Sequence, residues 1–181
     1  NGRSIHRANV LDSDALLGKK FNGDGVRVLV RDDGMINPHL DLKGRLDNSF
    51  AANAVFPGNH GEGVSGILGG AGNLDPTLKG MASGVKLYAI DYTDDFQDET
   101  LPLHLQQNVT ITNTSYSDGC NLGYTLISQT VDRQMFENPT LMHVFSAGNS
   151  NGQDCGYGAG DQWGNITGGH KMAKNALATA N

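Results

Sequence analysis

The apolar positions of this chain form short runs that end in polar or glycine-containing turns, which is the pattern of buried strands in a parallel sheet. Strands are predicted over 26–31, 85–90, 109–115 and 141–147. The first of them stops at two adjacent carboxylates, Asp32 and Asp33, followed by Gly34. Loops converge at the carboxyl ends of parallel strands, so reactive side chains are usually placed there.

Between these strands the pattern changes to helical spacing. Helices are predicted over 12–17, 60–70, 99–107 and 124–138. In the last of them Ile127, Val131 and Met135 recur at four-residue spacing, so we expect that face to lie in the core. Alternating strands and helices are typical of right-handed crossovers, and the sequence therefore predicts an α/β fold with a parallel sheet.

Length, charge and hydropathy narrow the function classes. The 181 residues are enough for one domain with a sizeable core, and 25 glycines suit a compact, loop-rich enzyme. A net charge of −6 argues against nucleic acid or an anionic membrane as a partner, because both attract basic faces. The longest apolar runs are strand-sized, too short to span a membrane. The chain begins at Asn1 without a signal peptide, so we expect a processed product.

Asp32 and His60 are the first candidates for chemistry. His60 stands in the first turn of its predicted helix with its imidazole exposed, and Gly61 and Gly63 allow close approach of neighbouring chain or substrate. A carboxylate that ends an adjacent strand can accept a hydrogen bond from one ring nitrogen and leave the other nitrogen as a base. Each motif alone is more often a simple turn or helix cap. Together they indicate an acid–base pair.

A third motif, Phe-Ser-Ala-Gly-Asn, closes the predicted strand 141–147 and ends at Asn149. The small residues Ala147 and Gly148 leave space for a substrate side chain, and the amide of Asn149 can donate to a developing oxyanion. Seen alone, the same residues would form an ordinary turn.

The two cysteines, Cys120 and Cys155, each follow a predicted strand by a few residues. If those strands are neighbours, a disulfide is geometrically feasible, and two separate buried thiols are the alternative. The chain has no Cys-x-x-Cys and no nearby pair of histidines, which argues against a transition-metal site.

Several segments, in order, resemble the subtilisin family of serine peptidases over nearly the whole chain. The Asp, His and Asn motifs of that family are similar to Val26–Gly34, Asn59–Gly66 and Ser146–Asn149. Weaker similarity extends over His39–Leu42, Gly80–Ile90 and Thr114–Gly119. Asp before His is also the subtilisin order.

This resemblance implies a three-layer fold with a mainly parallel central sheet and helices on both faces. It implies Asp32 and His60 as catalytic residues and Asn149 as the oxyanion donor. It also implies a strand that binds extended substrate, next to the pocket wall of Ala147 and Gly148. The residues of that strand are Ser115, Tyr116 and Ser117.

The chain departs from the family pattern beside both catalytic candidates. Glu62 replaces Thr and Gly63 replaces a second His, while Arg31 and Asp33 replace an apolar residue and Thr. These changes raise two expectations, that Arg31 shields or pairs with Asp33 and that Glu62 raises the pKa of His60.

The largest departure is the nucleophile segment of the family, Gly-Thr-Ser-x-Ala-x-Pro, which is absent. Residues 175–181 resemble a family strand that precedes it, and a sheet that stopped there would expose an unpaired edge. We therefore expect residues 1–181 to be the N-terminal portion of a single peptidase domain, incomplete at its C-terminus. A C-terminal fragment of the same protease would supply the serine.

The resulting hypothesis is a secreted or cell-surface serine endopeptidase that cleaves peptide or protein substrates by acyl transfer. It requires no cofactor for chemistry, and structural calcium is an option because Asp41, Asn73 and Asp75 offer oxygen ligands and the family often has such a site. A catalytically inactive, subtilisin-like peptide-binding module is the main alternative, based on the missing serine segment. An unrelated nucleotide-binding domain would need a Gly-x-Gly-x-x-Gly motif after the first strand, which is lacking.

Overall fold

The computed structural model describes residues 2–15, 18–51, 59–92, 99–116, 120, 123–149 and 169–180. The chain divides into two compact units, Asn1–Asp91 and Tyr92–Asn181. Within the described residues, each unit has three parallel strands. The prediction of an α/β fold with parallel strands and helical crossovers is therefore confirmed.

The first unit has its strands in the order β2-β3-β1, with the bounds β1 Arg27–Arg31, β2 Leu46–Asp47 and β3 Lys86–Ile90. Its helices are α1 Gly2–Ile5, α2 Ala8–Leu11 and α3 His60–Gly69, with short 3-10 helices at Leu40–Leu42 and Pro76–Leu78. β1 and β3 pair in register from Arg27 with Lys86 to Arg31 with Ile90. Both strands are buried over all but their first residue, which is the pattern of strands in a parallel sheet.

Helix α3 lies close to the sheet because its inner face is made of small residues. Gly61, Ser65 and Gly69 recur at four-residue spacing and are buried. A Cβ on Gly69 would come within 3.1 Å of Val85 and 3.2 Å of Leu87. This close packing brings the first turn of α3 next to the end of β1.

The helix predicted over 12–17 is wrong for the residues that the structure describes. Helix α2 ends at Leu11, and residues 12–15 form turns. The carboxylate of Asp12 is nearly buried and accepts hydrogen bonds from Arg3, at 2.9 Å, and from Lys79. Asp12 is instead the C-cap residue of α2, where its amide donates to the carbonyl of Ala8 at 3.0 Å.

The second unit has the strand order β4-β5-β6, with β4 Ile111–Thr114, β5 Met142–Ser146 and β6 Leu177–Thr179. Its helices are α4 Thr100–Gln107 and α5 Leu126–Glu137, and a 3-10 helix spans Gly169–Met172. Pro102 lies in the first turn of α4, where its missing N–H costs no helical hydrogen bond. The predicted positions of these helices and strands are confirmed to within a few residues.

The core of the second unit confirms the predicted apolar stripe on α5. Val131, Phe145 and Ala173 are buried together, and Ile127 and Met135 pack against them. Because α5 and β5 share this cluster, packing fixes the C-terminal end of β5, where the Ser-Ala-Gly-Asn motif begins.

Within the described residues, no helix has the length and apolar character needed to cross a membrane.

Candidate active site

Asp32 occupies the end of β1 and is almost completely buried, with its side chain 1% exposed. Its amide donates to the carbonyl of Ile90 at 3.2 Å, which continues the β1–β3 ladder by one residue. Its Oδ1 accepts the amide of Asp33 at 2.9 Å. The strand thus holds a buried carboxylate in a fixed position at its carboxyl end.

His60, the first residue of α3, pairs with that carboxylate. Its Nδ1 lies 2.7 Å from Oδ1 of Asp32, while its side chain remains 55% exposed. The hydrogen bond to Asp32 raises the pKa of His60, burial opposes the rise, and the charges of Asp32 and Asp33 add to it. With Nδ1–H donating to Asp32, the neutral ring keeps the lone pair of Nε2 for proton transfer.

Asp33 binds the start of α3 through both of its carboxylate oxygens. Oδ2 accepts the amide of His60 at 2.9 Å and Oδ1 accepts the amide of Gly61 at 2.7 Å. Partial burial acts to raise the pKa of Asp33, but the two amides and the His60 charge outweigh it and hold the pKa below its ordinary value.

Gly61 is the glycine that this arrangement needs. A Cβ there would lie 2.9 Å from Oδ1 of Asp33 and 3.1 Å from Cβ of Asp32. A Cβ on Gly63 would meet nothing within 4 Å. Of the two glycines predicted to allow close approach, only Gly61 does so toward the described residues.

The structure gives Glu62 and Asp33 other hydrogen-bond partners than the two expectations named for them. Glu62 accepts the backbone amide of Asn37 at 3.3 Å and also its side-chain amide. The pKa of His60 is raised by Asp32 and Asp33 rather than by Glu62. Arg31 is completely buried, and the Asp33 carboxylate accepts the amides at the start of α3. Pairing of Arg31 with Asp33 stays a prediction.

In the second unit, Asn149 is exposed just after β5. The amide of Ala147 donates to Thr179 at 2.7 Å, and its carbonyl accepts Nζ of Lys171 at 2.6 Å. Gly148 has φ of 114°, a backbone conformation that favours glycine. The loop that carries Asn149 is therefore held on both sides of Ala147.

Ser115 and Tyr116 follow β4. The Ser115 hydroxyl accepts the side-chain amide of Asn113 at 2.9 Å, and the Tyr116 carbonyl lies 3.2 Å from Nε2 of His170. The Tyr116 ring packs edge-on against Tyr92, with centroids 4.5 Å apart. Ser117, the third residue predicted to bind substrate, lies outside the described residues.

Sequence reasoning missed His170 and Lys171. Both are buried, in the 3-10 helix that contacts the ends of β4 and β5, and burial lowers the pKa of Lys171. No signal in the local sequence marks them, because their partners lie more than twenty residues away.

Two of the three predicted calcium ligands, Asp41 and Asp75, each use a carboxylate oxygen within the protein. Oδ1 of Asp41 accepts the amide of Asn73 at 2.6 Å, so these two residues do meet. Oδ1 of Asp75 accepts the amide of Thr77 at 2.8 Å and its hydroxyl at 2.7 Å. Among the described residues, no group of three or more His, Cys, Asp or Glu side chains could hold a metal ion. The calcium site stays a prediction.

The predicted disulfide also stays a prediction. Cys120 is described and exposed, whereas Cys155 lies outside the described residues.

A buried carboxylate that orients an exposed imidazole, at the carboxyl end of a parallel strand, defines an α/β protein equipped for general acid–base chemistry. The profile of the Subtilase family matches residues 23–180, and the chain belongs to that family. No curated protein matches the chain significantly.

Two solved structures show the likeness in fold. MycP1 with its N-terminal propeptide removed is 20% identical with a TM-score of 0.55, and the match covers 82% of this chain and 48% of that one. The prenylagaramide maturation protease PagA is 17% identical with a TM-score of 0.50, and the match covers 72% and 49%. The chain thus spans about half the length of these structures, and the predicted subtilisin-like fold class is confirmed.

Proposed function

We propose that this chain supplies the acid–base part of a serine endopeptidase. The observation that carries the proposal is the 2.7 Å contact between Nδ1 of His60 and Oδ1 of Asp32, in which the carboxylate is buried and the imidazole is half exposed. Membership of the Subtilase family makes peptide-bond hydrolysis the reaction class.

In the proposed mechanism, Asp32 holds the His60 tautomer and orientation. Nε2 of His60 takes the proton of a serine hydroxyl while the serine oxygen attacks the substrate carbonyl, and the amide of Asn149 donates to the resulting oxyanion. The imidazolium then gives its proton to the leaving amine as the carbon–nitrogen bond breaks. Water attacks the acyl-enzyme in the second half of the cycle, with His60 again acting as the base.

The serine in this proposal comes from sequence outside residues 1–181, on a C-terminal segment of the same protease. The half-length match to MycP1 and PagA is consistent with such a segment. An extended peptide would pair with the backbone at Ser115, Tyr116 and Ser117, and its side chain would enter a pocket walled by Ala147 and Gly148.

An extracellular location and a Cys120–Cys155 disulfide belong to the same proposal, since disulfides persist in oxidising compartments. Intact mass before and after reduction would test the disulfide by a gain of two hydrogens. Structural calcium is tested by thermal unfolding in CaCl2 and in MgCl2. A rise in the unfolding temperature that is specific to calcium, and smaller in Asp41→Asn, would support a site formed by Asp41, Asn73 and Asp75.

The function is tested by labelling the full-length protein with a serine-directed fluorophosphonate and identifying the labelled polypeptide by mass spectrometry. We expect a label on a serine outside residues 1–181, and its loss in His60→Ala. His6→Ala is the matched control, because His6 is an exposed histidine of the same unit. Absence of any label on folded wild-type protein would overturn the peptidase and leave the inactive peptide-binding module.

A further inference from the structure

Asp33 takes no part in the proton transfer described above, yet its carboxylate accepts two successive backbone amides at the start of α3. The oxygens accept the amides of His60 at 2.9 Å and of Gly61 at 2.7 Å. The first amides of a helix have no partner within the helix, so an outside carboxylate both satisfies them and interacts favourably with the helix dipole.

These contacts close a ring of hydrogen bonds around His60. Asp33 receives the backbone amide of His60, and its own amide donates to Oδ1 of Asp32 at 2.9 Å. The same Oδ1 receives Nδ1 of His60 at 2.7 Å. The backbone and the ring of His60 are therefore both hydrogen-bonded to adjacent carboxylates at the end of β1.

The second contact of Asp33 restricts rotation of the helix. A carboxylate that binds two successive amides defines the direction of the helix start as well as its distance from the strand. Gly61 permits this approach, because a Cβ there would lie 2.9 Å from Oδ1 of Asp33.

The effect of Asp33 on His60 can be measured through the pKa of the His60 ring. Asp32 and Asp33 both act to raise the pKa of His60, and Asp32 has the larger effect through its hydrogen bond. Glu62, the acidic residue of α3, is hydrogen-bonded to Asn37. Removing the charge of Asp33 should therefore act on His60 directly.

We infer that Asp33 is a positioning residue, which clamps the start of α3 to the end of β1 and so holds His60 in the orientation for proton transfer. This inference rests on the proposed function for the base role of His60. The clamp itself is independent of it. A Thr at this position, as in the family pattern, offers one acceptor oxygen where Asp33 offers two.

The test compares Asp33→Asn and Asp33→Thr with wild type in the full-length protein. We expect kcat to fall about tenfold or more in Asp33→Asn with KM within about twofold, because a misplaced base slows chemistry more than binding. In parallel, the His60 ring is titrated by NMR with ¹³C-labelled histidine, and its signal is assigned by its loss in His60→Gln. Both variants should lower the pKa of His60, and Asp33→Thr should retain more kcat because its hydroxyl can still accept one amide.

Asp47→Asn is the matched control, because Asp47 is an Asp of the same unit that accepts the amide of Ser49 at 3.0 Å and its hydroxyl at 2.6 Å. It should leave kcat and the pKa of His60 unchanged. Equal effects of Asp47→Asn, or an unchanged pKa of His60 in folded Asp33→Asn and Asp33→Thr, would overturn the inference. A different outcome separates the two proposals. If wild-type protein is not labelled by the fluorophosphonate but Asp33→Asn still lowers the pKa of His60, the proposed peptidase function is wrong and the clamp by Asp33 is retained.

Discussion

At the level of single residues, Asp32 and His60 differ in exposure in the way that proton transfer requires. The Asp32 side chain is 1% exposed, so its charge acts on the imidazole with little screening by water. The His60 ring is 55% exposed and open to a reacting group. The exposure of the His60 ring was expected from its place in the first turn of a helix, whereas the burial of Asp32 follows from the packing of α3 on β1.

The raised pKa of His60 predicts the pH dependence of activity. In the proposed mechanism the base His60 must be neutral, so kcat/KM should rise with pH through a midpoint above 6.5, the ordinary pKa of histidine. The same shift stabilises the fold at pH values below the unfolded-state pKa, and that contribution is lost as pH rises through the higher folded-state pKa. A pH profile of kcat/KM with a midpoint at or below 6.5 would contradict the assignment.

Gly61→Ala should damage the site, because the new Cβ would lie 2.9 Å from Asp33 and 3.1 Å from Asp32. We expect a loss of about 1–3 kcal/mol in the free energy of unfolding and a fall in kcat of about tenfold or more. Gly63→Ala is the control, since its Cβ meets nothing within 4 Å and alanine favours the helix. Urea unfolding and steady-state kinetics measure both variants, and equal stability losses in the two would refute the explanation by contact.

At the level of elements, one carboxylate ties α5 to the segment that leads into β6. Oδ1 of Asp132 accepts the amide of Asn175 at 2.7 Å, and Oδ2 accepts the hydroxyl of Tyr124 at 2.8 Å. Burial acts to raise the pKa of Asp132, but these hydrogen bonds and the charge of Lys174 hold it below its ordinary value. β6 therefore depends on a helix side chain as well as on pairing with β5.

Asp132→Asn should loosen that segment. We expect a loss of about 1–3 kcal/mol in the free energy of unfolding and faster hydrogen exchange at the amides of Leu177–Thr179. Glu137→Gln on the same helix is the control, because Glu137 is exposed and surface changes usually stay within about 0.5 kcal/mol. Unchanged exchange in Asp132→Asn would show that strand pairing alone holds β6.

Most elements could be predicted from the sequence because their pattern is local. The stripe Ile127, Val131 and Met135 defines α5 without reference to any other part of the chain. Strand β2 was missed, since Leu46–Asp47 is too short to show alternation. The helix predicted over 12–17 was wrong because Asp12 ends helix α2, where its carboxylate pairs with Arg3 and Lys79.

At the scale of the whole molecule, hydrogen-bonded carboxylates govern the response to acid. Among the residues that the structure describes, five carboxylates have a pKa below the ordinary value of 3.8: Asp12, Asp33, Asp47, Asp75 and Asp132. A lowered folded-state pKa stabilises the fold above the unfolded-state value, and the contribution is lost as pH falls through the folded-state values. The chain carries a net charge of −6 at pH 7, so the carboxylates outnumber the cations that pair with them.

We therefore expect the urea midpoint of the full-length protein to fall steeply once the pH drops below about 4. Asp33→Asn should show a smaller fall than wild type over the same range, because one of the linked groups has been removed. Midpoints measured from pH 6 to pH 3 that stay constant in wild type would contradict the shifts.

The sequence by itself determined most of the strands and helices. It also determined the Asp-Asp-Gly motif at the end of a strand and the His-Gly motif at the start of a helix. These are properties of neighbouring residues, set by hydrophobic period and turn chemistry. Only the tertiary structure decided that Asp33 clamps α3, that Lys171 holds the carbonyl of Ala147, and that Gly61 rather than Gly63 is the close contact. Each of these contacts joins residues far apart in the chain, and their hydrogen bonds and packing depend on distances that a local pattern does not contain.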